Sequence, residues 1–114
     1  MGIKKWLAKP LAKKARKRID LWANNPVETQ DKVMRYLIDE SINTRFGKDH
    51  NFKSISSYSQ FKREVPVTDY EGLRSYVDLI LEGESDVLWK GKPIYLAKTS
   101  GTTSGAKYIP LTKE

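Results

Sequence analysis

A chain of 114 residues, 39% hydrophobic and 31% charged, has the balance of a folded, water-borne protein, and its length sets a ceiling of one domain. With no cysteine and a single histidine, His50, it excludes disulfide frameworks, thiolate nucleophiles and a cysteine- or histidine-built metal cluster. The net charge of +7 is confined to one end: Lys4, Lys5, Lys9, Lys13, Lys14, Arg16, Lys17 and Arg18 meet no acid before residue 19, which leaves 13 basic against 14 acidic residues in the remainder.

In chain order, the first pattern is Leu11, Ala15, Ile19 and Trp22 at helical spacing, with Lys13, Lys14, Arg16, Lys17 and Arg18 on the other faces. This predicts a basic amphipathic helix over 11–23, started or kinked by Pro10, within a basic segment 1–23. Its apolar stripe is expected to pack on the protein body. Asn25 reads as an N-cap, with Pro26 in the first helical position and Glu28 three residues on. A second helix follows, with stripe Met34, Ile38, Ile42 and Phe46, and Gly47 as its left-handed C-terminal residue. Ser57 to Gln60 and Thr68 to Glu71 read as capping boxes. The first opens a short helix and the second a strongly patterned one over 69–82, with Tyr70, Leu73, Val77, Ile80 and Leu81 inward and Gly83 closing it. The helical region thus spans 26–83.

Beyond Gly83 the pattern changes to sheet over 87–114. Val87-Leu88-Trp89 is apolar, Gly91-Lys92-Pro93 reads as a turn, and Ile94 to Ala97 reads as a buried strand. A hairpin of 94–99 and 107–112 is expected, with the glycine loop at its tip. No apolar run reaches the roughly 18 residues of a membrane span and no secretory signal core is present, so no membrane span and a cytoplasmic location are expected.

The loop holds the chemistry. A phosphate offers several acceptor oxygens, so its binding loop needs exposed backbone N–H groups, small side chains and a cation. Thr99, Ser100, Gly101, Thr102, Thr103, Ser104, Gly105 and Lys107 supply hydroxyls, two glycines and an ammonium in that order. The same composition also makes an inert hydroxyl-rich turn. It is not the nucleotide loop of kinases and GTPases, which needs four residues between its glycines, a Gly-Lys pair and a following helix. Here three residues separate Gly101 from Gly105, Ala106 precedes Lys107, and Tyr108-Ile109 favour a strand.

Ser100-Gly101-Thr102-Thr103, three residues, then Lys107 is similar to the phosphate loop of acyl-adenylate-forming enzymes. Asn25 to Gln30, Asn43 to His50, Val65 to Tyr70, and Lys98 to Gly105 through Ile109-Pro110 together resemble the start of the auxin-responsive acyl-acid amido synthetases, in a bacterial-like version. Against the plant pattern, roughly Ser-Ser-Gly-Thr-Ser-Ala-Gly before its basic residues, this loop is one residue shorter before Lys107. The resemblance implies an α/β fold class, α+β over these residues: N-terminal helices and then the first β-hairpin of an adenylate-forming enzyme's large domain. It implies ATP and Mg2+ as cofactors, with the loop as the nucleotide site. Small-molecule carboxylic acid and amino acid substrates are implied for the complete enzyme. The C-terminal domain and the later motifs for adenine, ribose and acyl acid have no counterpart before Glu114, so these residues alone are not expected to turn over. No catalytic residue and no protein metal ligand is assigned.

The alternative is a small basic module for an anionic membrane or nucleic acid, its loop incidental. The near-neutral charge beyond residue 18 argues against a nucleic-acid partner. His50 is expected in a capping or surface role. Trp6, Trp22, Trp89, Tyr58, Tyr70, Tyr76 and Tyr95 are expected in the core, because they are spread over separate elements.

Overall fold

A computed structural model describes the backbone of residues 3–101 and 105–113, and side chains from residue 8 onward. In chain order it shows α1 (Ile3–Asn24), α2 (Pro26–Ser41), α3 (Arg45–Asp49), a 3-10 turn (Phe52–Ser54), α4 (Tyr58–Glu64), α5 (Tyr70–Leu81), β1 (Tyr95–Thr99) and β2 (Lys107–Leu111). Helices followed by an antiparallel hairpin are the expected α+β order. Contacts divide the chain into two units, Met1–Met34 and Arg35–Glu114.

In the first unit α1 starts eight residues earlier than its stripe predicts and carries Pro10 inside it. A proline there removes one backbone donor, toward the carbonyl of residue 6. The neighbouring lysines, leucines and alanines are strong helix formers and carry the helix through. Within this unit the stripe is left uncovered: Leu11 is 70% exposed and Trp22 53%. Asn25 stands at the N-cap position before Pro26, but its side chain turns away from the helix, with Nδ2 donating to the Leu21 carbonyl at 3.4 Å. Its own carbonyl accepts from both the N–H and the hydroxyl of Thr29. Glu28 pairs with Lys32 at 2.7 Å, one helical turn on.

In the second unit the expected long helix is broken by Thr44. Its Oγ1 donates to the Ser41 carbonyl at 2.7 Å and accepts from Gly47 N–H at 3.0 Å, ending α2 and capping α3 with one buried hydroxyl. Gly47 is therefore a buried residue of α3 and not a helix terminator. The left-handed position falls on Asn51, at φ 52°. His50 takes its capping role: its backbone N–H donates to the Phe46 carbonyl, and Nδ1 lies 2.9 Å from that same oxygen. Its ring stacks on Phe46 at 3.9 Å, and Phe52 and Tyr76 meet Phe46 edge-on.

α4 is capped by Ser57 as expected, while Gln60 reaches back to Ser56 N–H and not to Ser57. The α5 cap is Asp69, accepting from Gly72 N–H at 3.2 Å, and not Thr68; Glu71 turns to Arg74 instead. At the far end Gly83 stands at φ 96°, with Gly83 N–H bonded to Ile80 and Glu84 N–H to Leu79. This is the paired closure that a left-handed glycine permits. Val77 and Ile80 of α5 are buried, with Ile38, Phe52 and Val87 as the other buried apolar residues.

Asp86 and Gly91 close a small loop on each other, and the first N–H groups of α3 donate to the Asp86 and Val87 carbonyls at 2.8 and 3.0 Å. Val87 is buried at the point where that loop meets α3. Lys90 pairs with Glu40 of α2. β1 and β2 then pair in the register Tyr95↔Leu111 through Thr99↔Lys107. The strand expected to be buried is exposed, with Tyr95 at 71% and Ile94 at 58%, because two strands alone leave both edges and most of both faces uncovered. The core role expected of the aromatics fails with it: Tyr58 and Tyr95 are exposed, as is Trp22 in the first unit, and Tyr70, Tyr76 and Trp89 are half-buried. The Trp6 side chain lies outside the described residues.

Candidate functional site

The hairpin places the two ends of the glycine loop side by side. Thr99 pairs with Lys107, and its hydroxyl donates to the Lys107 carbonyl at 3.4 Å, so the last residue of β1 and the first of β2 form a closed neck. Ser100 and Gly101 leave that neck exposed, and Gly105 re-enters it at φ 80°. A Cβ on Gly101 would stand 1.6 Å from the Gly105 carbonyl oxygen, so the two backbones touch where any side chain would part them. Thr102, Thr103 and Ser104 lie outside the described residues. Of the predicted site residues the structure therefore brings together Thr99, Ser100, Gly101, Gly105 and Lys107.

Lys107 is half-buried at the neck, and among the described residues it has no salt-bridge partner. Its ammonium stands 5.6 Å from the ring centroid of Tyr70, in the first turn of α5. The Tyr70 hydroxyl accepts from Tyr108 N–H at 2.9 Å, tying the hairpin to that turn. Beside it Glu71 holds Arg74 in a bidentate pair at 2.6 and 2.7 Å. The hydrogen bond from Arg74, with smaller help from the charges of Arg74 and Lys107, holds the Glu71 carboxyl below its usual range. Sequence reasoning placed Tyr70 among the inward residues of a helix and missed this contact, since 38 residues separate it from Tyr108 and no local signal joins them.

The arrangement fits an anionic group. The neck offers a cation, the hydroxyl of Ser100, and a backbone path open at two glycines, while the Thr99 hydroxyl donates across the neck to the Lys107 carbonyl. A separate apolar pocket at Ile80, Val87, Leu88, Trp89, Gly91, Pro93, Pro110 and Thr112 measures about 100 Å³. That is below the roughly 300–1,000 Å³ of small-molecule sites, so it does not rival the loop. No helix among the described residues is long and apolar enough to cross a membrane.

The sequence profile of the GH3 family N-terminal domain matches residues 15–114, which include every one of these elements except the start of α1. The chain belongs to the GH3 family. It is 36% identical over 92 residues to the indole-3-acetic acid-amido synthetase GH3.15 of Arabidopsis thaliana, covering 79% of this chain and 15% of that protein. It is 29% identical over 102 residues to GH3.2 of the same plant, covering 89% and 19%. The jasmonoyl-L-amino acid synthetase JAR6 of Nicotiana attenuata is 25% identical over 87 residues, covering 75% and 15%. This GH3 chain thus spans less than a fifth of the length of these relatives, and no solved structure matches it.

Proposed function

We propose that this chain is the amino-terminal part of an ATP-dependent acyl-acid amido synthetase, an enzyme that adenylates a carboxylic acid and passes the acyl group to the amine of an amino acid. Membership of the GH3 family and the amido synthetase names of the relatives support the ligase class. The observation that carries the nucleotide part is the placement of Lys107. It is a cation that makes no salt bridge among the described residues, set at the neck of a loop whose glycines admit backbone contact.

In this reading Thr99, Ser100, Gly101, Thr102, Thr103, Ser104, Gly105 and Lys107 hold the phosphates of ATP. The loop's amides and hydroxyls orient the polyphosphate, and Lys107 neutralises charge that moves onto the departing pyrophosphate. Mg2+, when bound, adds Lewis-acid neutralisation of the same oxygens. Among the described residues no group of three or more acidic or histidine side chains could hold a metal ion.

The test is product analysis of the complete enzyme with ATP, amino acids and a panel of carboxylic acids that includes indole-3-acetic and jasmonic acids. AMP and pyrophosphate, formed only when acid is present, are the expected products. ADP and phosphate would overturn the adenylation step.

The exposed stripe of α1 favours a second reading for that segment alone, docking on an anionic membrane surface. Co-sedimentation with phosphatidylserine vesicles at low salt, reduced in Trp22→Ala, is the outcome that reading requires. No sedimentation at any salt concentration retires it.

A further inference from the structure

Tyr70 meets the loop in two ways at once. Its hydroxyl accepts from Tyr108 N–H at 2.9 Å and lies 3.5 Å from the Tyr108 carbonyl, so it takes up backbone groups of β2 immediately after Lys107. Among the described residues β2 has only β1 beside it, and a donor on the open edge of a two-stranded ladder has no strand to pair with. Tyr70 supplies that partner from α5. The same ring lies under the Lys107 ammonium, 5.6 Å from its centroid, within the range of cation–π attraction.

A lysine on a flexible four-carbon stem loses rotamer freedom when it grips an anion, and a ring that already seats its ammonium removes part of that loss. The neighbouring charges matter equally. Glu71 is one residue from Tyr70 and would compete for Lys107, yet both its oxygens are occupied by Arg74, whose guanidinium lies 5.7 Å from the same Tyr70 ring. Lys107 is thereby seated by a neutral ring, makes no salt bridge among the described residues, and feels Glu71 only as a more distant charge.

We propose that Tyr70 is a positioning residue of the phosphate loop, whose hydroxyl fixes the strand carrying Lys107 and whose ring aims the ammonium at a polyphosphate. The proposal rests on the phosphate-loop reading above.

Its test is residue-resolved NMR of the 114-residue chain titrated with inorganic triphosphate. Before any triphosphate is added, the ε-methylene protons of Lys107 are expected to be shifted upfield by the Tyr70 ring. Unshifted protons overturn the proposal without any mutation. On titration the amides of Gly101, Gly105 and Lys107 are expected to move, separately from those of the basic α1. Tyr70→Phe keeps the ring and loses the hydroxyl, and is expected to weaken binding about twofold to tenfold, the span of one net hydrogen bond. In a Lys107→Ala background the same change is expected to have no effect, because the group being positioned is gone. If Lys107→Ala weakens binding and Tyr70→Phe does not, Tyr70 is only a helix residue and the loop reading stands. If triphosphate leaves the loop amides unmoved, or Lys107→Ala changes nothing, the loop reading itself fails and takes this proposal with it.

Discussion

At the scale of single residues the two loop glycines are held for different reasons, and substitution separates them. Gly105 has open space around its Cα but stands at φ 80°, so Gly105→Ala is expected to cost about 1–2 kcal/mol of hairpin stability through backbone strain. At Gly101, by contrast, a methyl group would collide with the Gly105 carbonyl. Gly101→Ala should therefore displace the loop and shift the amide resonances of Gly105 and Lys107. Thr44 is a second such point. One buried hydroxyl both accepts and donates, so Thr44→Ala should lower unfolding free energy by about 1–2 kcal/mol in urea titrations, and Thr44→Ser should recover most of it. Asp86 titrates. The Gly91 N–H bond first, then a hydrogen bond from Ser85, hold its carboxyl below the usual value. A carboxyl depressed on folding contributes stability above its unfolded pKa and loses it as pH falls through the folded one. Asp86→Asn tolerates the positive φ, so its stability deficit should be present at neutral pH and shrink as pH falls through the lowered pKa of the folded carboxyl.

At the scale of elements, legibility followed how local the cause was. α5 was readable because its stripe, its acidic start and Gly83 all lie within one window; the cap moved from Thr68 to Asp69, Glu71 turned to Arg74, and Leu81, expected inward, is exposed. The break between α2 and α3 was hidden. Met34, Ile38, Ile42 and Phe46 keep helical spacing straight through it, and only the hydroxyl of Thr44, bonding in both directions, ends the first helix. In the hairpin the glycine loop marked the turn, so its register came out close to the expected pairing. The burial of its strands did not, because a two-stranded sheet alone leaves Tyr95 and Ile94 uncovered. The Tyr70 contact had no sequence signal at all, being set by where α5 ends up against β2. For α1, the nucleotide-side elements all lie in the other unit, and the loop brings its own cation. Deleting residues 1–9 from the complete enzyme should therefore leave acid-dependent pyrophosphate release intact, although solubility can fall with the lost charge. Release that disappears while the fold persists would contradict that independence.

At the scale of the whole molecule, residues 15–114 match the GH3 family N-terminal domain and carry the phosphate end of a proposed nucleotide site. The exposed hairpin face and the small apolar pocket are too limited to hold adenine, ribose and an acyl acid. The 114 residues alone are accordingly expected to bind ATP weakly and to turn nothing over, which equilibrium dialysis and a pyrophosphate assay check together. The central claim is that Lys107 acts on the phosphates, and its most direct measurement is acid-dependent exchange of labelled pyrophosphate into ATP by the complete enzyme. Lys107→Ala is predicted to slow exchange by about 10- to 1000-fold, the effect of losing one electrostatic contact of roughly 1.4–4 kcal/mol in the transition state. Thr102→Val should lose less, since neighbouring amides still hold the phosphates. Exchange at the wild-type rate in Lys107→Ala would show that the loop is structural and contradict the account.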